Sequence, residues 1–278
     1  MEKDTVRQQV RRGWEQTSAL YAIDRPQIFQ RFADRLAALL EWSPGQHVLD
    51  VGTGTGVAAF RAAERVGSHG QVIGVDCAWA MADKARATTQ GKWRNVSFAQ
   101  MDAEFLSLPN ECFDLVVCAF SLFQFVDMGR ALSEMYRVLK SGGQVGLSNW
   151  GPEFFTPVAS MQRDLFREYG LRPLLTNPIT FKHGQMRALL EAAGFVEVEL
   201  VQDRIELWFE KPEEVWQWNA AMGPFPIMLD QQLTFDQRRE LEHRYIEMLR
   251  PLLKPQGIAC TFHPLYTLAR RMTHDRFA

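Results

Sequence analysis

The sequence predicts an α/β fold in which helices cover both faces of a mostly parallel sheet. Three observations predict it. Between residues 47 and 150, short apolar strands alternate with amphipathic helices. The first strand ends in a glycine-rich turn, Gly52-Thr53-Gly54-Thr55-Gly56, that opens straight into an alanine-rich helix. The second strand ends in an acidic residue, Asp76.

Taken in order, residues 4–20 and 26–41 read as helices. Ile28, Phe29, Phe32, Leu36, Leu39 and Leu40 form one apolar stripe on the second helix. Pro26 suits a first helical turn, and Ser43-Pro44-Gly45 ends the helix. His47–Val51 is the first strand, followed by a helix from Gly56 to about Val66. Gln71–Asp76 is the second strand, with a helix over Ala80–Thr89. Val96–Met101 and Phe113–Phe120 are the third and fourth strands. The helix Arg130–Leu139 stops at Ser141-Gly142-Gly143, and Gln144–Trp150 is the fifth strand. Strands joined through helices imply right-handed crossovers and a parallel sheet.

Beyond Trp150 the alternation loosens. Residues 153–192 hold Pro157, Pro173 and Pro178 and at least two amphipathic helices. Phe195–Phe209 is strand-rich behind the helix stop Gly194. Residues 212–250 are helical and rich in Trp216, Trp218, Met222, Phe225 and Met228, and Ile258–Ala269 reads as one closing strand. The tail thus adds two strands with a helical insertion between them. The expected division is N-terminal helices or a lid at 1–42, a core at 43–150, and the rest of the sheet at 151–278. Helical caps fall at about 153–192 and 211–257.

The 278 residues are 46% hydrophobic and 23% charged, which suits a full core. A net charge of -2 speaks against a protein that tracks a nucleic-acid backbone. Lys3, Arg7 and Arg11 recur at helical spacing and read as a solvated face. Cys77, Cys112, Cys118 and Cys260 form no C-x-x-C pair and lack a histidine at ligand spacing. No metal site is expected, and the thiols fit a reducing compartment. Met1–Trp14 is charged, without the apolar stretch of a signal peptide, and no apolar run reaches membrane-spanning length. The expectation is a soluble, cytoplasmic protein.

The glycine turn carries the chemistry. Glycines let a ligand approach the main chain, and the following helix offers free N–H groups to it. In an open parallel sheet, ligands bind outside the carboxyl ends of the strands, and an acidic residue ending the second strand can accept ribose hydroxyls. The third glycine comes one residue too early for the dinucleotide pattern G-x-G-x-x-G. The loop also lacks the Lys-Ser/Thr ending of a phosphate-binding P-loop.

Val48–Gly56 resembles the first motif of the class I S-adenosylmethionine-dependent methyltransferases. Further motifs follow in the family's order. Val72-Ile73-Gly74-Val75-Asp76 with Met81 resembles the second, and Phe98–Glu104 with Leu108-Pro109 the third. Phe113–Cys118 resembles the fourth, and Arg137–Gly143 the turn before the fifth strand. The likeness is nearest to the ubiquinone/menaquinone-biosynthesis-like branch, whose members mostly methylate small molecules. It implies a Rossmann-like seven-stranded sheet, S-adenosyl-L-methionine as cofactor and S-adenosyl-L-homocysteine as product. Ser141 stands where the family usually has proline.

Carried over position by position, the resemblance implies a cofactor site of Asp50, Gly52, Thr53, Gly54, Gly56, Asp76, Met81, Asp102, Ala103, Cys118 and Ala119. Asp50 would fix the turn and the amino group, and Gly52 and Gly54 would pass beneath the methionine part. Asp76 would hold the ribose, and Met81, Asp102 and Ala103 would meet the adenine. The main chain at Cys118–Phe120 would face the sulfonium end.

After the fourth strand, Ala119–Phe125 lacks the Asn/Asp-Pro-Pro-Tyr/Phe of enzymes that methylate nucleobase amines. The expected partner is therefore a small molecule and not a nucleic acid. Candidate pocket walls are Trp14, Tyr21, Phe120, Phe123, Trp216 and Phe225, with Phe125, Phe154, Phe155, Trp218 and Met228 beside them. As a group they suggest an apolar or aromatic acceptor, a secondary metabolite or quinone-like compound methylated on O, C or N. Only His183 and His263 offer themselves as a general base. A protein of the same fold that uses the cofactor to promote a rearrangement, or without methylating at all, would need the same turn.

Overall fold

The computed structural model describes residues 3–21, 26–89, 92–173, 175, 177–220 and 225–273. Two helices lead in, α1 (Lys3–Tyr21) and α2 (Pro26–Leu39). The first half of the sheet is β1 (His47–Val51), β2 (Gln71–Asp76) and β3 (Val96–Gln100), connected through α3 (Val57–Val66) and α4 (Trp79–Thr89). The second half begins with β4 (Phe113–Ala119), α5 (Met128–Val138) and β5 (Leu139–Trp150). Then come α6 (Val158–Glu168), α7 (His183–Ala192), β6 (Phe195–Gln202), β7 (Ile205–Phe209), α8 (Pro212–Ala220), α9 (Phe225–Gln232) and α10 (Phe235–Leu249). Strands β8 (Ile258–Phe262) and β9 (Pro264–Arg271) close the chain.

Seven strands form the main sheet in the order β3-β2-β1-β4-β5-β9-β6. β9 runs antiparallel between β5 and β6, and the ladders from β3 to β5 are parallel. The chain leaves β1 for β2 and β3 on one side, then returns to β4 and β5 on the other. The strand order therefore reverses between β1 and β4, and a crevice opens at their carboxyl ends.

Side chains alternate across the sheet as the pleat requires. Val48, Leu115 and Val117 pack with Ala59, Ala62 and Val66 of α3 and Leu36 and Leu40 of α2. Leu49, Val116 and Cys118 face the opposite layer, with Leu132 and Met135 of α5 and Leu190 of α7. Both faces are covered, which is why these strands read as nearly continuous apolar runs.

The expected seven-stranded α/β sheet is present, with its helical insertion between β6 and β9, and most element ends move by a residue or two. Three expectations need correction. The strand-rich segment Phe195–Phe209 divides between two sheets, β6 in the main sheet and β7 in a two-stranded sheet with β8. The single closing strand Ile258–Ala269 is likewise two strands. The chain crosses between sheets at His263-Pro264, where the His263 carbonyl accepts from Gly151 N at 2.6 Å and proline offers no N–H. Ser141-Gly142-Gly143 lies inside β5, as a bulge in its pairing with β4.

No helix among the described residues is long and apolar enough to cross a membrane.

α2 docks on the sheet through Phe32, which is 1% exposed and packs its ring 4.9 Å from Phe120 and 5.4 Å from Trp150. Phe32→Ala is expected to destabilise the protein by about 3–5 kcal/mol, read from urea unfolding. A change under about 1 kcal/mol would show that this packing contributes little.

Candidate functional site

β1 delivers its last residues into the crevice, and main-chain bonds fix the turn there. Gly52 N and Thr53 N both donate to the Val75 carbonyl, at 2.8 and 2.9 Å, which ties the turn to the end of β2. Gly52 adopts φ 70°, and a Cβ on it would lie 2.5 Å from Ser121 Cβ. The Ser121 hydroxyl uses that closeness to donate to the Gly52 carbonyl at 2.9 Å. Gly54, at φ 53°, differs: a Cβ there would meet nothing within 4 Å. Its open side faces a cavity.

Two carboxylates sit under the turn. Asp50 is 1% exposed; its Oδ2 accepts from the Thr53 hydroxyl at 2.7 Å, and its Oδ1 is buried without a partner. Burial pushes its pKa up to about 7, against the Thr53 hydrogen bond, and the nearby Asp76 charge adds to the rise. Asp76 accepts from Gly54 N and Ala78 N, both at 2.9 Å. Burial pushes it up to about 6 in spite of those bonds. Asp102 Oδ1 accepts from Glu104 N at 2.9 Å and so shapes the loop after β3.

The cavity has a volume of about 1080 Å³ and runs from the glycine turn to the helices that follow β5. Its rings touch in sequence. Phe120 lies 4.2 Å from Trp150, Trp150 4.8 Å from Phe154, and Phe155 5.1 Å from Trp218. Phe120 and Phe155 both hold a positive φ, 53° and 54°. Such backbone strain in a bulky residue gathers where a site needs the side chain aimed.

α1 covers the rim with Arg7, Val10 and Trp14. Arg7 Nε donates to buried Glu104 at 2.9 Å. The Glu15 carboxylate accepts from Trp79 N at 2.6 Å and Ala80 N at 3.0 Å, capping α4 with negative charge at the helix's positive end. Among the described residues, no cluster of His, Cys, Asp or Glu has the arrangement of a metal site.

The methyltransferase domain family matches residues 48–143. The chain is 36% identical over 151 residues to aklanonic acid methyltransferase DauC of Streptomyces sp. strain C5, covering 54% of this chain and 68% of that one. It is 30% identical over 236 residues to the nocamycin O-methyltransferase of Saccharothrix syringae, covering 76% and 80%. It is 37% identical over 132 residues to the ubiquinone/menaquinone biosynthesis C-methyltransferase UbiE of Marinomonas sp. strain MWYL1, covering 47% and 51%.

The chain belongs to the S-adenosylmethionine-dependent methyltransferases. The methyltransferase's residues fit that cofactor: Asp50 offers an unpartnered buried oxygen, and Gly54 leaves room that any side chain would fill.

Of the residues that the sequence singles out, Asp50, Gly52, Thr53, Gly54, Asp76, Met81, Asp102, Ala103 and Ala119 all line the cavity. Gly56 caps α3 and faces Phe60 and Phe98 instead. Cys118 is wholly buried in β4, and burial raises its thiol pKa so that it stays protonated. Trp14, Phe120, Phe123 and Phe225 are in the wall. Trp216 is buried behind it, 6.0 Å from Phe225 and 5.0 Å from Tyr245. The Tyr21 side chain lies outside the described residues.

Neither histidine lines the cavity. His183 opens α7 on the exposed surface. His263 Nδ1 is 2.9 Å from the Glu153 carbonyl.

Sequence reasoning missed Phe29, Trp150, Gln162 and Asn219 as wall residues. Phe29 was visible only as part of an apolar stripe, and Trp150 only as a strand end. No periodicity marks Gln162 or Asn219.

Two outcomes follow for the ligand-free enzyme. Asp50 keeps its proton longer when folded than when unfolded, so between about pH 4 and about pH 7 its contribution to stability falls as pH rises. Asp50→Asn, which keeps an acceptor for Thr53, is therefore expected to gain stability relative to wild type between about pH 5 and about pH 7.5 in urea unfolding. A constant difference across that range would contradict the raised pKa. Gly54→Val is expected to lose S-adenosylhomocysteine binding in calorimetry while costing only about 1–2 kcal/mol of stability. Retained affinity would move the ligand away from Gly54.

Proposed function

We propose that the methyltransferase acts on a small apolar or aromatic molecule, a secondary metabolite or quinone-like compound, with in-line transfer to O, C or N. One observation carries this: a single cavity joins the glycine turn to an aromatic-walled chamber under the cap helices. Two of the relatives bear on it by name, one for aklanonic acid and one for O-methylation of nocamycin.

In this reading the buried carboxylates grip the cofactor. Asp50 receives its amino group directly or through the turn, and Asp76 receives the ribose hydroxyls. Met81, Asp102 and Ala103 border the adenine, and the main chain at Ala119–Phe120 faces the sulfonium end. When bound, S-adenosylmethionine supplies an already activated methyl group. The chain's own contribution is to align the acceptor and exclude water, an effect worth up to about 7–11 kcal/mol. α1, latched by Arg7 and Glu15, closes the rim. A chamber walled largely by aromatic rings suits a small molecule and not a nucleic acid. Free thiols at Cys77, Cys112, Cys118 and Cys260 suit the reducing cytoplasm.

Incubation with methyl-labelled cofactor and a panel of hydroquinones and other hydroxylated aromatics is expected to give labelled product and S-adenosylhomocysteine in equal amounts. Cofactor binding with no product from any aromatic would overturn the substrate assignment. Asp76→Ala is expected to weaken S-adenosylhomocysteine binding at least about tenfold, because charged acceptors make the stronger hydrogen bonds. Unchanged affinity in a folded variant would remove Asp76 from the site.

A further inference from the structure

Arg163, Arg167, Arg172 and Asn177 line the outer part of the cavity, and among its aromatic rings two amides meet. Gln162 on α6 is half-buried and Asn219 on α8 is 9% exposed, and both line the cavity. Asn219 Nδ2 donates to Gln162 Oε1 at 2.8 Å. Behind them the Tyr245 hydroxyl on α10 donates to the same Gln162 oxygen at 3.2 Å and lies 3.5 Å from Asn219 Nδ2. Tyr245 is fully buried, and burial raises its pKa, so the phenol stays a donor.

These bonds use only half of each amide. Gln162 Nε2 and Asn219 Oδ1 make no hydrogen bond among the described residues. Exchanging N and O in both amides would reverse the bond between them and still leave one donor and one acceptor unused. A polar atom covered by a bound ligand costs free energy unless the ligand completes its bonds. A hydroxyl completes both, since it accepts from an N–H and donates to a carbonyl.

We propose that the Gln162–Asn219 pair is a specificity-determining site that reads a hydroxyl on the ring system of the methyl acceptor, with Tyr245 as the positioning residue behind it. This rests on the aromatic-acceptor assignment above and narrows it to hydroxylated rings. Three helices of the cap, α6, α8 and α10, meet at the pair. The same bonds that aim the amides thus hold the chamber's wall together.

The test uses the full chain saturated with S-adenosylhomocysteine, and three probes of one ring size: 2-naphthol, 2-methoxynaphthalene and naphthalene. Binding is followed by calorimetry and by tryptophan quenching. The expected order is 2-naphthol first, about tenfold tighter than naphthalene, with 2-methoxynaphthalene between them, as one or two hydrogen bonds in a dry site would give. Gln162→Met and Asn219→Leu are expected to abolish the preference while keeping S-adenosylhomocysteine affinity and naphthalene binding. Tyr245→Phe is expected to reduce the preference only in part.

Equal affinity for all three probes in the wild type would overturn the amide proposal and leave the aromatic chamber standing. So would a preference that persists in both Gln162→Met and Asn219→Leu. If none of the probes binds while S-adenosylhomocysteine does, both the proposal and the aromatic-acceptor assignment fall. Should Asn219→Leu fail to fold, Gln162→Met alone decides, because its side chain is only half-buried and preserves volume.

Discussion

Two carboxylates buried at the ends of adjacent parallel strands are the constraint from which the rest of the site follows. Asp50 and Asp76 are buried beneath the glycine turn, and that burial raises both pKa values. The Thr53 hydroxyl holds Asp50, the N–H groups of Gly54 and Ala78 hold Asp76, and the turn's own N–H groups are tied to Val75. The turn must therefore lie flat over β2. Gly52 permits this by letting Ser121 approach to a distance that a Cβ would close. One Asp50 oxygen is left buried without a hydrogen bond, and in the proposed function it is the cofactor that completes it.

The cavity inherits its shape from that base. The reversal of strand order opens the crevice between β1 and β4, and Phe120, strained at φ 53°, turns its ring toward Trp150 and Phe32. From there the ring contacts pass through Phe154 and Phe155 to Trp218. The two-stranded sheet of β7 and β8 supports this outer wall through Phe209 and Phe262, which pack on Trp218 and Phe155. Core and cap are thus one aromatic assembly. A change in the sheet's packing at Phe32 reaches the chamber through two rings.

The core was legible in the sequence because its signals are local. Val48–Gly56 states a strand, a turn and a helix start within nine positions, and Asp76 lies where the sheet register fixes it. The chamber was legible only in composition. Phe225 and Trp216 both lie at helical spacing among aromatics, yet one lines the cavity and the other is buried behind it. Their difference depends on how α8 and α9 pack against α10 and the rest of the cap, a long-range matter that periodicity does not encode. Gln162 and Asn219 were invisible for the same reason: their meaning comes from each other, across helices far apart in sequence. The split of Ile258–Ala269 into two strands was hidden because β propensity is high on both sides of His263-Pro264. Only pairing shows that they serve different sheets.

In the proposed function, Asp50 and Asp76 are partly protonated near neutral pH until the cofactor's ammonium group and hydroxyls reach them. The direct measurement is calorimetry of S-adenosylhomocysteine binding in buffers of different ionisation enthalpy. At about pH 6.5 a net release of protons is expected, as the ligand's ammonium group and hydroxyls bring both carboxylates to their charged form, fading by about pH 8. Binding heats independent of the buffer at about pH 6.5, with affinity intact, would contradict it.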